Sequence, residues 1–261
     1  MTKIMGILNV TPDSFSDGGQ YTAIEEAVRH AKQLVRDGAD AIDVGGESTR
    51  PGAARVSAEE ETERVVPIIQ RLTKEIAVPI SIDTYKPTVA RAALEAGATI
   101  INDVWGSKWG DRSMARVAFE YEVPIILMHN REDRDYNHFI EDIVIDLRES
   151  IEIAHAAGLK DEHIWLDPGI GFAKDVAQNL ELMKHLEVIT RLGYPVLLGT
   201  SRKSFIGHTL DLPLEERLEG TIATTCLGIM KGCDWVRVHD VKENARAAKM
   251  MDAMIGGNGH G

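Results

Sequence analysis

The chain has 261 residues, a formal net charge of -12 at pH 7, and a composition that is 44% hydrophobic but only 5% aromatic. That charge argues against a general nucleic-acid or anionic-membrane binder, though not against an anionic small ligand held by a local basic cluster. Cys226 and Cys233 are too few and wrongly spaced for a disulfide framework or a zinc site, which suits a reducing cytoplasm, and with no signal-like opening and no apolar run near about 18 residues, no membrane span is expected.

Short apolar runs alternate with helical patterns from end to end. The first strand, Ile4–Asn9, ends at an amide side chain and opens into a loop of Pro, Gly, Ser and two aspartates reaching Gly19. Strand ends that open into polar loops are where many α/β enzymes place their chemistry. A helix from Ala23 to Asp37, stopped at Gly38, leads to strand Ala41–Gly45 and the polar loop Gly46-Glu-Ser-Thr-Arg-Pro-Gly52. Ser57-Ala-Glu-Glu60 predicts a capping box for a helix reaching about Ile76. Strand Ile80–Asp83 precedes a helix bracketed by Pro87 and Gly97, and strands Ile100–Asp103 and Ile125–His129 follow. Ile140, Ile143, Val144, Leu147 and Ile151 form one helical stripe, ended near Gly158 before strand Ile164–Asp167. Leu180, Met183 and Leu186 mark a helix stopped at Gly193, and strand Val196–Thr200 comes next. A helix from about Leu214 to Met230, strand Trp235–His239 and a helix over Val241–Met254 complete the pattern. The Gly-rich tail from Gly256 is expected to be disordered.

Eight strand-helix units of this length predict a single (β/α)8 TIM barrel over residues 1–255, with a doubly wound open sheet as the alternative. In a barrel every strand ends at the same face. Those ends carry Asn9, the 46–52 loop, Asp83, Asn102 with Asp103, His129, Asp167, Ser201-Arg-Lys203, Arg237 and His239. Arg237 and His239, two apart on one strand, point the same way and suit phosphate oxygens; a salt bridge and a capped histidine are the alternative. Asp83, Asn102, Asp167 and Lys203, from four strands, match the amino, amide and oxo edge of a flat heterocycle. Asp167 and Lys203 as an internal ion pair is the plainer reading. Asn9 suits a magnesium ligand through its amide oxygen, or a turn cap. His129, His138, His155 and His163 have no ligand spacing, and Gly169-Ile-Gly171 is too short to mean dinucleotide binding. With no GxxxxGK[ST] and no Ser nucleophile elbow, nucleotide hydrolysis and acyl-enzyme chemistry have no support.

Taken together, Gly6–Gly19, Asp43–Gly52, Ser81–Thr84, Ile101–Asp103, Leu166–Phe172, Thr200–Lys203 and Arg237–His239 resemble the dihydropteroate synthase family, folate-pathway enzymes blocked by sulfonamides. The segments occur in family order along nearly the whole chain. The resemblance implies the same barrel and a transferase that joins 6-hydroxymethyl-7,8-dihydropterin pyrophosphate to 4-aminobenzoate, releasing pyrophosphate and 7,8-dihydropteroate. It implies that Asp83, Asn102, Asp167 and Lys203 hold the pterin, and that Asn9, Arg237 and His239 bind pyrophosphate, Asn9 also through Mg²⁺. Phe15, Asp17, Thr49, Arg50, Pro51 and Ser201 would form the aminobenzoate site. Asn9, Asp17, Arg50, Lys203, Arg237 and His239 are the implied catalytic set. Relatives dimerise through late helices, where Met230, Met250, Met251 and Met254 suit an interface or a core. Trp105 and the charged run Asn130–Asp135 depart from the family pattern. A pterin-binding methyltransferase and a non-catalytic pterin binder are the other readings; the Phe15–Asp17 loop and the pyrophosphate clamp disfavour the first, and intact Asn9, Arg50, Lys203, Arg237 and His239 disfavour the second.

Overall fold

Strands covered on both faces carry apolar side chains on both, and the eight short runs form a parallel sheet. The computed structural model describes residues 1–10, 20–48 and 55–256. The strands are β1 (Lys3–Asn9), β2 (Ala41–Gly45), β3 (Ile80–Asp83), β4 (Ile100–Asp103), β5 (Ile125–Met128), β6 (Ile164–Asp167), β7 (Leu197–Leu198) and β8 (Trp235–Val238). They pair in the order β6-β5-β4-β3-β2-β1-β8-β7, and a parallel bridge between Leu166 and Val196 joins β6 to β7. The sheet is a closed (β/α)8 barrel: β1 lies beside both β2 and β8, with Asn9 level with Gly45 and Met5 level with Arg237. An open doubly wound sheet has no such ring.

The period of two along each strand separates two cores. Ile4, Leu8, Ile42, Val44, Ile82, Ile101, Leu127, Leu166 and Val238 face outward and bury themselves under the helices. Met5, Ala41, Ile100, Ile126 and Leu197 face inward and, with Trp165 and Trp235, form a separate apolar cluster. The two indoles stack at 5.0 Å and 26°. Two residues further along the same inward rows the character changes to Asp43, Asn102, Asp167 and Arg237. One end of the barrel is thus plugged with hydrocarbon and the other lined with polar groups.

The helices are α1 (Gln20–Arg36), α2 (Ala58–Leu72), α3 (Pro87–Glu95), α4 (Met114–Glu120), α5 (Phe139–Ala156), α6 (Val176–Lys184), α7 (Glu187–Thr190), α8 (Ser204–Leu210), α9 (Leu218–Met230) and α10 (Val241–Ile255). Ser57 Oγ accepts from the Glu60 N–H at 3.1 Å, Pro87 sits in the first turn of α3, and Gly97 follows that helix at φ 112°. The reciprocal capping box lies instead at Asp175 and Gln178, opening α6. Three expectations are corrected. The stretch read as one helix around Leu180 is two, because the chain leaves helical geometry at His185. The stretch from Leu214 begins as a separate 3-10 turn, and α9 starts only after Arg217. Strand β7 covers two residues instead of Val196–Thr200, since the chain bends at Thr200 towards Arg202, which adopts φ 57°. No helix among the described residues is long and apolar enough to cross a membrane. The expected tail disorder falls almost wholly outside the described residues.

Candidate active site

The polar end of the barrel and the loops above it enclose a cavity of about 840 Å³. Asn9, Asp83, Ser201, Lys203, Arg237 and His239 all line it. These side chains come from β1, β3, β8 and the loop after β7, so the barrel itself brings together residues far apart in the chain. Two glycines at strand ends make the room. A Cβ on Gly45 would lie 3.6 Å from Asp83 Oδ2 and 3.8 Å from Asn9 Oδ1. A Cβ on Gly199 would lie 3.7 Å from Asp167 Oδ2 and 3.9 Å from Lys203 Nζ.

Arg237 projects inward from β8 between two carboxylates. Its Nε donates to Asp43 Oδ2 and its Nη2 to Asp83 Oδ2, each at 2.6 Å. The salt-bridge reading of Arg237 therefore holds together with its place on the cavity wall. Asn102 Nδ2 donates to the same Asp43 oxygen at 3.0 Å, so Asn102 sits beneath the cavity, linked to Arg237 through Asp43. Asp43 Oδ1 and Asp83 Oδ1 are buried with no hydrogen-bond partner among the described residues. Burial raises Asp83 to about 7, with Arg237 pulling the other way and the Asp43 charge adding to the rise. Asp43 is absent from the sequence-derived set. A charged residue inside the otherwise apolar Ala-Ile-Asp-Val-Gly strand was its signal.

Asp167 closes β6 and is held by its own turn, accepting from the Gly169 N–H at 2.7 Å. Lys203 Nζ donates to the Ile170 carbonyl of that turn and lies 4.7 Å from the centre of the Phe172 ring. Burial raises Asp167 and lowers Lys203, the latter to about 8. No ion pair within 4.0 Å joins Asp167 to Lys203 among the described residues; both flank the space above Gly199. Ser201 Oγ accepts from the His239 backbone N–H at 3.1 Å and lies 2.9 Å from His239 Nδ1. The hydroxyl can donate to Nδ1 or accept from it, so this contact fixes the position of the ring whichever tautomer it carries. Arg202 closes the same loop with a bidentate contact to Asp240, Nε at 2.9 Å and Nη2 at 2.5 Å.

Asp103 points away from this group and caps its own loop, accepting from the Trp105 and Ser107 N–H groups at 2.9 and 2.7 Å. The unusual Trp105 packs on Trp109 at 5.0 Å, and Arg55 lies 5.2 Å over the Trp109 ring. In the charged run, Arg131 Nε donates to Asp146 at 2.5 Å and its guanidinium covers Tyr136. Lys86, also missed in the sequence, donates to Glu47, to Glu61 at 2.5 Å and to the Val56 carbonyl at 2.7 Å. Phe15, Asp17, Thr49, Arg50 and Pro51 lie outside the described residues.

The family model described as pterin binding enzyme matches residues 5–239. The dihydropteroate synthase of Bacillus subtilis is 62% identical over 100% of this chain and 92% of that protein. A crystal structure of dihydropteroate synthase from Clostridium difficile in the presence of pteroic acid superposes with TM-score 0.94 at 54% identity, covering 97% of this chain and 96% of that one. The Xanthomonas albilineans dihydropteroate synthase with 4-aminobenzoic acid gives TM-score 0.92 at 42% identity, covering 97% and 93%.

Proposed function

The chain belongs to the family of pterin binding enzymes, and from that premise we propose that it is a dihydropteroate synthase. It condenses 6-hydroxymethyl-7,8-dihydropterin pyrophosphate with 4-aminobenzoate, giving 7,8-dihydropteroate and pyrophosphate. The observation that carries this reading is the placement of Asp83, Lys203 and Arg237 on one cavity wall, with Asp167 and Lys203 both beside Gly199 and Asn102 beneath the cavity, linked to Arg237 through Asp43. The buried, unpartnered Oδ1 of Asp83 suits an N–H donor on a pterin edge, and Lys203 suits an oxo group.

In the reaction the bond between the methylene carbon and the diphosphate oxygen breaks, and the electron pair leaves with pyrophosphate. The arylamine nitrogen bonds to the methylene carbon and then loses a proton to solvent. Negative charge grows on the leaving group, and Arg237 and His239 stabilise it as it forms. Removing one such donor from a preorganised site costs about 3–4 kcal/mol of barrier. Ionised Asp83 and Asp167 favour the cationic character left on the dihydropterin, so no general base is required. The family resemblance assigns aminobenzoate binding to Phe15, Asp17, Thr49, Arg50, Pro51 and Ser201, of which only Ser201 is among the described residues, on the cavity wall.

Asn9 supplies one hard oxygen donor at the cavity wall, and no group of three His, Cys, Asp or Glu gathers to hold a metal among the described residues. That donor set fits Mg²⁺, which keeps several waters and takes oxygens from substrate phosphates. When bound, the ion offsets diphosphate charge. Met230, Met250 and Met254 are 66%, 60% and 57% exposed on α9 and α10, while Met251 is buried. They support a homodimer through these late helices, and the unpaired cysteines support a cytoplasmic enzyme.

Isothermal titration of dihydropterin pyrophosphate tests the reading. Asp83→Ala and Asp167→Ala each weaken binding at least about tenfold, the cost of one hydrogen bond to a charged group. Unchanged affinity in both variants would remove the pterin from this rim.

A further inference from the structure

The turn after β6 contains a buried cation that the reaction does not use. Lys174 is 4% exposed, and its Nζ lies 2.8 Å from His129 Nδ1 and 2.9 Å from both the Gly169 and Phe172 carbonyls. An ammonium has three hydrogens and no acceptor, so the three acceptors match it one for one. His129 accepts at Nδ1 only as a neutral ring with its proton on Nε2, and Nε2 faces Asp146 Oδ2 at 2.9 Å. Burial pushes His129 down to about 4, which keeps the ring neutral. Burial alone would raise Asp146, but the His129 and Arg131 contacts outweigh it and hold this carboxyl below the usual range. Burial also pushes Lys174 down, to about 7, with Lys203 adding to the push and Asp167 and Asp146 opposing it. The hydrogen-bonding acceptors around Nζ favour its charged form. The chain of bonds has one polarity: Lys174 donates to His129, and His129 donates to Asp146.

The same ammonium holds both ends of a short turn, whose Phe172 N–H donates to the Gly169 carbonyl at 3.0 Å. Between those ends lie the groups that set two site residues. The Gly169 N–H fixes Asp167, the Ile170 carbonyl receives Lys203, and the Phe172 ring lies beside the Lys203 ammonium. A Cβ on Gly171 would meet Lys203 Cδ at 3.0 Å, so the turn and that side chain are in close contact.

We propose that Lys174 is a positioning residue for pterin binding: its buried ammonium, oriented by His129 and Asp146, fixes the β6 turn so that Asp167 and Lys203 meet the heterocycle. The inference rests on the pterin reading of the cavity. It separates two parts of the substrate, because the turn touches the residues assigned to the ring and none assigned to the diphosphate.

The test is calorimetric titration of wild-type protein, Lys174→Met and Asp146→Ala with two probes in Mg²⁺, dihydropterin pyrophosphate and inorganic pyrophosphate. Lys174→Met weakens the pterin ligand about tenfold or more and leaves pyrophosphate within about twofold, as expected for lost charged hydrogen bonds on one side of the site. Asp146→Ala acts in the same direction by about threefold and carries the test if Lys174→Met does not fold. Unchanged pterin affinity in the folded variants, or equal loss of both ligands, overturns the proposal. Wild-type protein that binds pyrophosphate but not the pterin ligand overturns the reading of the cavity, and this inference with it.

Discussion

Arg237 cannot swing freely towards a ligand, since Asp43 holds its Nε and Asp83 its Nη2. A donor fixed in this way is ordered when the chain folds, and little reorganisation remains for the moment at which leaving-group charge appears. Its carboxylate partners also make the site sensitive to pH. Asp83, raised by burial to about 7, is neutral below that value and charged above it. Lys203, lowered by burial to about 8, is charged below that value and neutral above it. Both carry charge together only between the two. Affinity for dihydropterin pyrophosphate therefore rises as pH climbs through about 7 and falls beyond about 8. Calorimetry across that range checks this: Asp83→Asn removes the acid limb, Lys203→Met removes the alkaline limb, and a profile that neither variant alters contradicts the assignment. Asp83 and His239 are legible in the sequence because each closes an apolar run where a polar side chain needs a reason, Lys203 because it falls in the polar segment after one, and Arg237 because it is a charge inside an apolar strand two residues from His239. Asp43 carries the same kind of signal as Arg237, a charge inside an apolar strand, but its partner Arg237 is 194 residues away, so the sequence does not show what it holds.

At the scale of elements, the site depends on how tightly the β6 turn seats against β5. Gly169 has φ 68°, and a Cβ there would lie 1.9 Å from the His129 carbonyl oxygen. Both the backbone conformation and the space exclude a side chain. Gly169→Ala should cost more than about 2 kcal/mol of stability in urea unfolding and weaken the pterin ligand as Asp167 shifts. A variant with wild-type stability would mean that the turn has slack. Strands β2, β3, β4 and β6 are legible to the residue, since each is a compact apolar run bounded by polar residues. Helices α4 and α8 are not, because seven residues give too little period to read and Gly207 interrupts one of them. The split between α6 and α7 is hidden for a different reason: Leu182, Met183, Leu186 and Ile189 all face the core, so the apolar spacing runs on across the break.

Over the whole molecule, a strongly acidic chain concentrates cations at one mouth: Arg55, Arg64, Arg202, Lys203, Arg217 and Arg237 all line the cavity. Glu47, Glu60 and Asp83 line it too, so cations outnumber carboxylates on the described wall, a local balance that suits an anionic ligand although the net charge is -12. The alternation of strands and helices makes the barrel legible, but its closure depends on the β1–β8 pairing and the Leu166–Val196 bridge, long-range contacts that no local pattern encodes. The polarity of the barrel, hydrocarbon at one end and hydrogen-bonding groups at the other, follows from residues two apart on the same inward rows. It gathers the inward polar groups at one end of the barrel among the described residues. The most direct measurement is pyrophosphate release together with dihydropteroate formation after the protein is mixed with dihydropterin pyrophosphate, 4-aminobenzoate and Mg²⁺. The two products are expected in equal amounts, lost with excess chelator and restored by Mg²⁺. Pyrophosphate released without dihydropteroate, or full turnover in chelator, would contradict the proposed reaction.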